Sequence, residues 1–236
     1  METKDKICLA LDVDSAEKAR ALVKELHDYV GVFKINSLFN EAGPKIVKEI
    51  VDNGGKVFLD LKYHDIPNTV ANYAKAATKM GVFMFNIHAT GGLEMMKAAA
   101  EAVKETAESL DIKKPIVLGV TVLTSIDQDA LNSELNVSGE VEAQVIHLAL
   151  LAKKAGLDGV VCSPKEIKAI REACGNDFVI VTPGIRPAWS ATDDQKRITT
   201  PKDAVEAGAD YLVIGRPIRN ADDKVEAAKK ILEEIS

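Results

Sequence analysis

Short apolar runs alternate with helical stretches rich in Ala, Lys and Glu along the whole chain, and the segment 91–110, GGLEMMKAAAEAVKETAESL, is typical of the helical stretches. Apolar runs of this length predict strands, and strands that alternate with helices predict a parallel sheet with right-handed crossovers. The pattern predicts eight strands, at 7–13, 31–35, 56–61, 82–88, 115–123, 158–162, 178–182 and 210–215.

Eight strands in 236 residues favour a single α/β domain, a (β/α)8 TIM barrel. A doubly wound open sheet is the alternative, because periodicity does not reveal whether a sheet closes. No linker or break in composition divides the chain, so we expect one domain over residues 1–236. Ser15 is expected to cap a helix that runs to Tyr29, and another helix is expected over 69–80. The segment 183–200 exceeds ordinary loop length, and such loops often carry function.

Composition narrows the classes of function. A net charge of −6 and a pI near 5.4 argue against nucleic acid held by a general basic field, although a few local cations can still bind an anionic metabolite. No secretory signal and no apolar run of ~20 residues is seen, which predicts a cytoplasmic protein that does not enter a membrane. The three cysteines Cys8, Cys162 and Cys174 are widely spaced, which predicts buried, reduced thiols.

Polar or turn-forming residues recur at the carboxyl ends of the predicted strands. In a parallel barrel these ends meet at one rim, where active sites are built. Because most strands contribute, we expect a functional site there. The residues are Asp12, Lys34, Asp60, Lys62, Asn86, His88, Thr121, Thr124, Pro183, Gly184, Gly215 and Arg216.

The stretch DLKYHDIPNT, residues 60–69, concentrates charge at the end of the third strand. Side chains alternate faces along a strand, so Asp60 and Lys62 share the face opposite its aliphatic row and point into the barrel mouth. A buried charge needs an opposite partner, so these two side chains are expected to pair, with Lys34 joining from the adjacent strand. An ion-pair network that ties the rim together is the alternative. A metal site is disfavoured, because Lys62 would repel a cation.

The stretch DYLVIGRPI is a candidate phosphate site. A glycine at a strand end followed by an arginine, here Gly215 and Arg216, offers backbone N–H groups and a fixed cation. Barrels often bind phosphate after strands seven and eight, and TPGIRP after strand seven supplies Arg186. Ordinary turn chemistry is the alternative for Gly-Arg-Pro alone.

Taken together, the motifs resemble the orotidine 5′-phosphate decarboxylase family, in order from Asp12 to Arg216. They read LALDV, FKIN, DLKYHDIPNT, NIHATGG, VTVLTS, VTPGIRP, DDQKR and VIGRPI. The D-x-K-x-x-D core is shared with Mg²⁺-dependent relatives such as hexulose-phosphate synthase and keto-gulonate-phosphate decarboxylase. The Ile-Pro after Asp65 and the DDQKR segment favour the orotidylate branch. One position departs from the family pattern, since Asn36 stands where glycine or histidine is usual.

The resemblance implies a carboxy-lyase of pyrimidine biosynthesis that converts orotidine 5′-phosphate to UMP without metal or organic cofactor. It implies a homodimer of barrels with shared active sites. Lys34, Asp60, Lys62 and Asp65 would form a charged catalytic array in which Lys62 protonates C6, while Asp65 and Thr69 reach into the partner subunit's site.

Substrate contacts follow from the same resemblance. Asp12 and Lys34 would hold the ribose hydroxyls, and Thr124 would contact the pyrimidine edge. The residues expected to bind the 5′-phosphate are Arg186, Gln195, Gly215 and Arg216. Two rival functions remain open, a Mg²⁺-dependent enzyme of the same suite acting on a sugar phosphate and a non-catalytic nucleotide-binding protein.

Overall fold

Eight parallel strands close into a barrel in the computed structural model, which describes residues 2–190 and 199–236. The strands are β1 (Ile7–Ala10), β2 (Val32–Ile35), β3 (Lys56–Tyr63), β4 (Met84–His88), β5 (Ile116–Val120), β6 (Gly159–Val161), β7 (Val179–Pro183) and β8 (Tyr211–Ile214). Each strand pairs with the next in chain order, and β8 pairs with β1. This closure confirms the predicted (β/α)8 fold and excludes the open doubly wound sheet.

Helices follow the strands and surround the barrel. They are α1 (Ala16–Leu26), α2 (Ser37–Ala42), α3 (Lys45–Asp52), α4 (Pro67–Lys79), α5 (Leu93–Leu110), α6 (Val141–Lys154), α7 (Ile167–Cys174), α8 (Pro201–Ala207), α9 (Arg216–Arg219) and α10 (Lys224–Glu234). Ser15 caps α1 as predicted, since its hydroxyl accepts from the backbone N–H of Lys18 at 3.3 Å. Across the described residues, no helix combines the length and apolar character that a membrane span needs.

The core has two layers that alternate along each strand. Inward-facing side chains such as Phe58 and Met84 fill the barrel, and outward-facing ones such as Leu59 and Phe85 pack beneath the helices. All four are essentially inaccessible to solvent, and burial of each stabilises the fold by about 1.5–3 kcal/mol. Because Phe58 faces inward, Asp60 is the next inward position on β3, as its aliphatic neighbours predicted.

Several element ends differ from the sequence-based expectation. β1 ends at Ala10 and β5 at Val120, three residues before the predicted ends, while β3 continues to Tyr63 and α1 stops at Leu26. Strand propensity continues through Val122 and Leu123, but these two side chains line the cavity at the barrel mouth. Apolar residues that look like strand therefore form the wall of the site, because tertiary packing overrides local propensity.

All three cysteines are free and buried, as predicted. Burial raises the pKa of the Cys162 thiol to about 12 and raises the pKa of the Cys8 thiol further above its usual value. Because the thiolate is the reactive form, both side chains act as small apolar packing groups at neutral pH.

Candidate active site

A cavity of about 410 Å³ opens at the carboxyl ends of the strands. Its volume falls in the range of small-molecule sites. The predicted site residues that line it are Asp12, Lys34, Asp60, Lys62, Thr124, Arg186, Gly215 and Arg216. The structure therefore brings together eight predicted residues that are spread over most of the chain.

A row of alternating charges crosses one wall of this cavity. Lys62 Nζ lies 2.6 Å from Asp60 Oδ1, and Lys34 Nζ lies 3.2 Å from Asp60 Oδ2. Lys34 also reaches Asp12 Oδ1 at 3.4 Å, and Arg219 lies 3.7 Å from Asp12 Oδ2. Five charges of alternating sign are thus connected, and the Asp60 carboxylate is held between two ammonium groups.

The central charges are buried yet remain ionised. The side chains of Asp60 and Lys34 are only 10% and 11% exposed. Burial raises the pKa of Asp60, but the ammonium groups of Lys34 and Lys62 and the hydrogen bonds from Lys62 and Asn86 outweigh it, so the pKa is lowered. Burial likewise lowers the pKa of Lys34, but Asp60 and Asp12 outweigh it and raise the pKa. The charges of this wall therefore create a fixed electrostatic field before any ligand binds.

Asn86 on β4 lies beside Asp60 and Lys62, and from the sequence it was expected only as a polar residue at a strand end. Its side-chain Nδ2 donates to Asp60 Oδ1 at 2.7 Å, and its Oδ1 accepts from the backbone N–H of Lys62 at 2.8 Å. An amide within the apolar run MFNIH is the sequence signal, because a fully buried polar side chain must find partners.

Arg219 is a second residue that sequence reasoning missed. Its guanidinium donates to the backbone carbonyl of Asp12 at 2.6 Å, and the side chain lines the cavity. Arg219 lies three residues after Arg216 on the short helix α9, so both face the same side. That spacing was visible in RPIR, but nothing in the sequence linked it to the first strand.

The candidate phosphate end of the cavity is built from turns after β7 and β8. Gly184 adopts φ +80°, a backbone conformation that favours glycine, and it lines the cavity with Gly215 and Arg216. The backbone N–H of Arg186 donates to the carbonyl of Thr199 at 3.1 Å. Gln195, predicted to bind phosphate, and the DDQKR segment that contains it lie outside the described residues.

Asp65 and Thr69 lie outside the cavity formed by their own barrel. Asp65 is exposed, and its carboxylate accepts from the backbone N–H of Ile66 at 2.7 Å. Thr69 is half-buried in α4, which begins at Pro67. Ile66 between them is 68% exposed. The predicted charged array is therefore assembled without Asp65 within one chain.

A closed barrel with a buried, charged wall at its carboxyl-end mouth defines an enzyme of the (β/α)8-barrel class. Residues 5–231 match the model of the orotidine 5′-phosphate decarboxylase / HUMPS family. The chain therefore belongs to this family, which confirms the predicted relationship.

Curated relatives and solved structures agree with the family match. The chain is 56% identical to orotidine 5′-phosphate decarboxylase of Syntrophomonas wolfei, over 100% of this chain and 99% of that protein. It is 54% identical to the enzyme of the same name from Moorella thermoacetica, over 100% of this chain and 94% of that protein. The crystal structure of orotidine 5′-phosphate decarboxylase from Lactobacillus acidophilus superposes with a TM-score of 0.87 at 41% identity, covering 98% of this chain and 99% of that one.

Proposed function

We propose that this chain, as one decarboxylase domain over residues 1–236, converts orotidine 5′-phosphate to UMP in pyrimidine biosynthesis. The observation that carries the proposal is the placement of Asp60 between the ammonium groups of Lys34 and Lys62, at 3.2 and 2.6 Å, on the wall of the cavity. Full-length relatives at 56% and 54% identity bear the name of this activity.

The charged wall suits the chemistry of this reaction. Loss of CO2 breaks the bond between C6 and the carboxylate and leaves the electron pair on C6, where the ring π-system cannot accept it. The Lys62 ammonium stabilises that charge and then transfers a proton to C6, and its neutral amine regains a proton from water. Asp60 fixes the ammonium and faces the departing carboxylate. A preorganised field of this kind is usually the largest catalytic contribution.

Substrate binding divides along the cavity. Asp12 and Lys34 hold the ribose hydroxyls and Thr124 contacts the pyrimidine edge. The 5′-phosphate is bound by Arg186, Gln195, Gly215 and Arg216. Binding energy from the phosphate, far from the reacting carbon, helps to order the surrounding loops and exclude water during turnover.

The donor chemistry of the wall supports a reaction that needs no metal, and we propose that it needs no organic cofactor either. Both oxygens of Asp60 already accept from cationic or amide groups, so a divalent ion at this carboxylate would meet the charges of Lys34 and Lys62. In the part of the chain that the structure describes, no three His, Cys, Asp or Glu side chains form a group able to hold a metal.

A homodimer with shared sites accounts for Asp65 and Thr69. Both residues belong to the stretch predicted as catalytic, yet they lie outside the cavity of their own barrel. The exposed side chain of Ile66 beside them offers apolar area that a partner subunit would cover. We propose that this segment enters the neighbouring active site.

A spectrophotometric assay tests the proposed activity. Purified protein is mixed with orotidine 5′-phosphate, with and without EDTA, and the loss of orotidylate absorbance is followed together with the appearance of UMP. Equal rates in both conditions are expected. Absence of turnover would refute the activity, and turnover abolished by EDTA would refute metal independence and favour the Mg²⁺-dependent branch.

A further inference from the structure

The ladder between β3 and β4 is interrupted beside the charged wall. Leu59 pairs with Phe85 and Tyr63 pairs with Ile87, so β3 advances four residues while β4 advances two. Within this irregular stretch Lys62 adopts φ +49°, a left-handed conformation that side chains other than glycine rarely occupy. The bulge aims Lys62 at the cavity, but it leaves the Lys62 backbone without a regular ladder partner.

Asn86 fills this interruption with its side chain. Its Oδ1 accepts from the Lys62 backbone N–H at 2.8 Å, in place of a strand carbonyl, and its Nδ2 donates to Asp60 Oδ1 at 2.7 Å. The Lys62 ammonium closes the ring by donating to the same Asp60 oxygen at 2.6 Å. Because Asn86 is 0% exposed, both bonds are buried away from bulk solvent, and each buried polar group depends on its partner.

Only an amide of this length meets both requirements. The backbone N–H of Lys62 needs an acceptor, and the Asp60 carboxylate needs a donor. Aspartate would supply an acceptor but repel the carboxylate, and leucine would supply neither group. Glutamine carries an extra methylene, which a site without space would not accept.

We propose that Asn86 is a positioning residue, which holds the Asp60 carboxylate and the left-handed backbone of Lys62 in the geometry that the decarboxylation requires. The inference rests on the proposed function and extends it to a side chain that does not line the cavity. Asn86 acts through its two neighbours, so its loss should lower turnover and leave ligand binding intact.

The first test compares wild type, Asn86→Leu and the control Thr182→Val. Thr182 is also a fully buried polar strand residue, and its hydroxyl contacts Cys162 Sγ at 4.0 Å on the side of the barrel formed by β6 and β7, whereas the central charges lie on β2 and β3. Asn86→Leu should lower kcat about 100-fold, as expected for a small displacement of reacting groups, with UMP affinity by calorimetry unchanged. Thr182→Val should keep the wild-type kcat.

These outcomes separate the two hypotheses. A wild-type protein that does not decarboxylate orotidine 5′-phosphate refutes the proposed function itself. An active wild type together with an equally active Asn86→Leu refutes only the positioning role. A fall in kcat that is accompanied by an equal fall in UMP affinity also refutes it, because that pattern indicates general damage to the cavity.

A second variant decides the matter where Asn86→Leu fails to fold. In Asn86→Asp the introduced carboxyl mimics the amide when protonated, and repels Asp60 when ionised. Because the pKa of Asp60 is lowered, that carboxylate stays charged while the introduced one titrates. The ratio of its kcat to the wild-type kcat should therefore rise by about tenfold between about pH 8 and about pH 5. A flat ratio would overturn the proposal.

At each pH the kcat of Asn86→Asp is divided by the wild-type kcat, which corrects for the other titratable groups around this position. These groups come from β2, β3, β4 and the turn after β3, and they are Lys34, Asp60, Lys62, His64 and His88. The pKa of His88 is lowered by burial and by His64, whose ring centroid lies 5.2 Å away. Both proteins contain these groups, so a change in the ratio originates from the introduced carboxyl, either directly or through its effect on these neighbours.

Discussion

Lys62 and Asp60 stand two residues apart on one strand, and the ammonium of the first donates to the carboxylate of the second at 2.6 Å. The pair shares an inward face, but the Lys62 side chain is 30% exposed while that of Asp60 is 10% exposed. The cation is thus the more accessible member and the carboxylate its buried support. This order suits the proposed role of Lys62 as a proton donor, because such a donor must reach the substrate.

Replacement of that donor should remove turnover selectively. Lys62→Ala keeps a Cβ at the left-handed position, so the backbone preference is little altered. We expect kcat to fall by about 10⁴-fold or more, because charge stabilisation and proton transfer are both lost. Binding of UMP, measured by calorimetry, should persist through the phosphate contacts. Near-normal decarboxylation would contradict the assignment.

Asp60 should make stability depend on pH in the acidic range. Its folded-state pKa is lowered, so its ion pairs stabilise the fold above the unfolded-state value and are lost as pH falls through the folded-state value. Asp60→Asn should therefore cost about 3 kcal/mol near neutral pH, because the buried Lys34 and the partly buried Lys62 both lose their partner. The difference in Tm from wild type should shrink below about pH 4.

Asp14 provides the matched control for this measurement. It also forms a short ion pair, 2.7 Å from Lys18, and its pKa is also lowered, but its side chain is 75% exposed. Solvent screens such a pair, so Asp14→Asn should change Tm little at any pH. Equal changes in Tm for Asp60→Asn and Asp14→Asn would indicate that burial of the charged row does not contribute to stability.

Arg216 should contribute to affinity more than to chemistry. Loss of a charge-assisted bond to phosphate in Arg216→Ala is expected to cost about 2 kcal/mol, which raises KM about 30-fold. The measurement is initial rate against orotidine 5′-phosphate concentration. An unchanged KM would place the phosphate elsewhere in the cavity.

Arg219 should act on substrate through Asp12. Because Asp12 is half-exposed, we expect Arg219→Met to weaken substrate binding by only about 1 kcal/mol, or roughly fivefold in KM. Arg20→Met is the control, since Arg20 forms a 2.7 Å pair with Glu49 on the surface away from the cavity. A similar change in KM for both variants would show that the effect is not specific to Asp12.

Mixing of two inactive variants tests the shared site. Lys62→Ala and Asp65→Ala subunits each lack one part of every site when alone. Random reassociation should restore about one quarter of the sites, because half of the dimers are mixed and each of these has one site free of both changes. Mixtures that stay inactive, although native mass spectrometry detects mixed dimers, would contradict the exchange of this segment.

Much of the fold was predictable because its signal is repeated. Each apolar run followed by an amphipathic helix is weak alone, but eight repeats predict a barrel. The central charges were predictable for a local reason, since strand alternation places Asp60 on the inward face and predicts the same face for Lys62, although the β3–β4 bulge sets the final direction of the Lys62 side chain. Lys34 could be added because β2 neighbours β3.

The contacts of Asn86 and Arg219 were not predictable, because they depend on register and closure. The backbone bond from Lys62 to Asn86 exists only where the β3–β4 ladder slips, and no sequence pattern indicates that slip. The position of Val122 and Leu123 in the cavity wall depends in the same way on the residue at which β5 ends.

The bond between Arg219 and Asp12 joins positions 207 residues apart. Because Asp12 is synthesised 207 residues before Arg219, a nascent chain carries most of the charged row before its final cation is added. Contacts of such long range slow folding, because the intervening chain must be ordered before the ends can meet. The charged row therefore cannot be complete before Arg219 has been synthesised, and a chain truncated after β7 would lack its final cation.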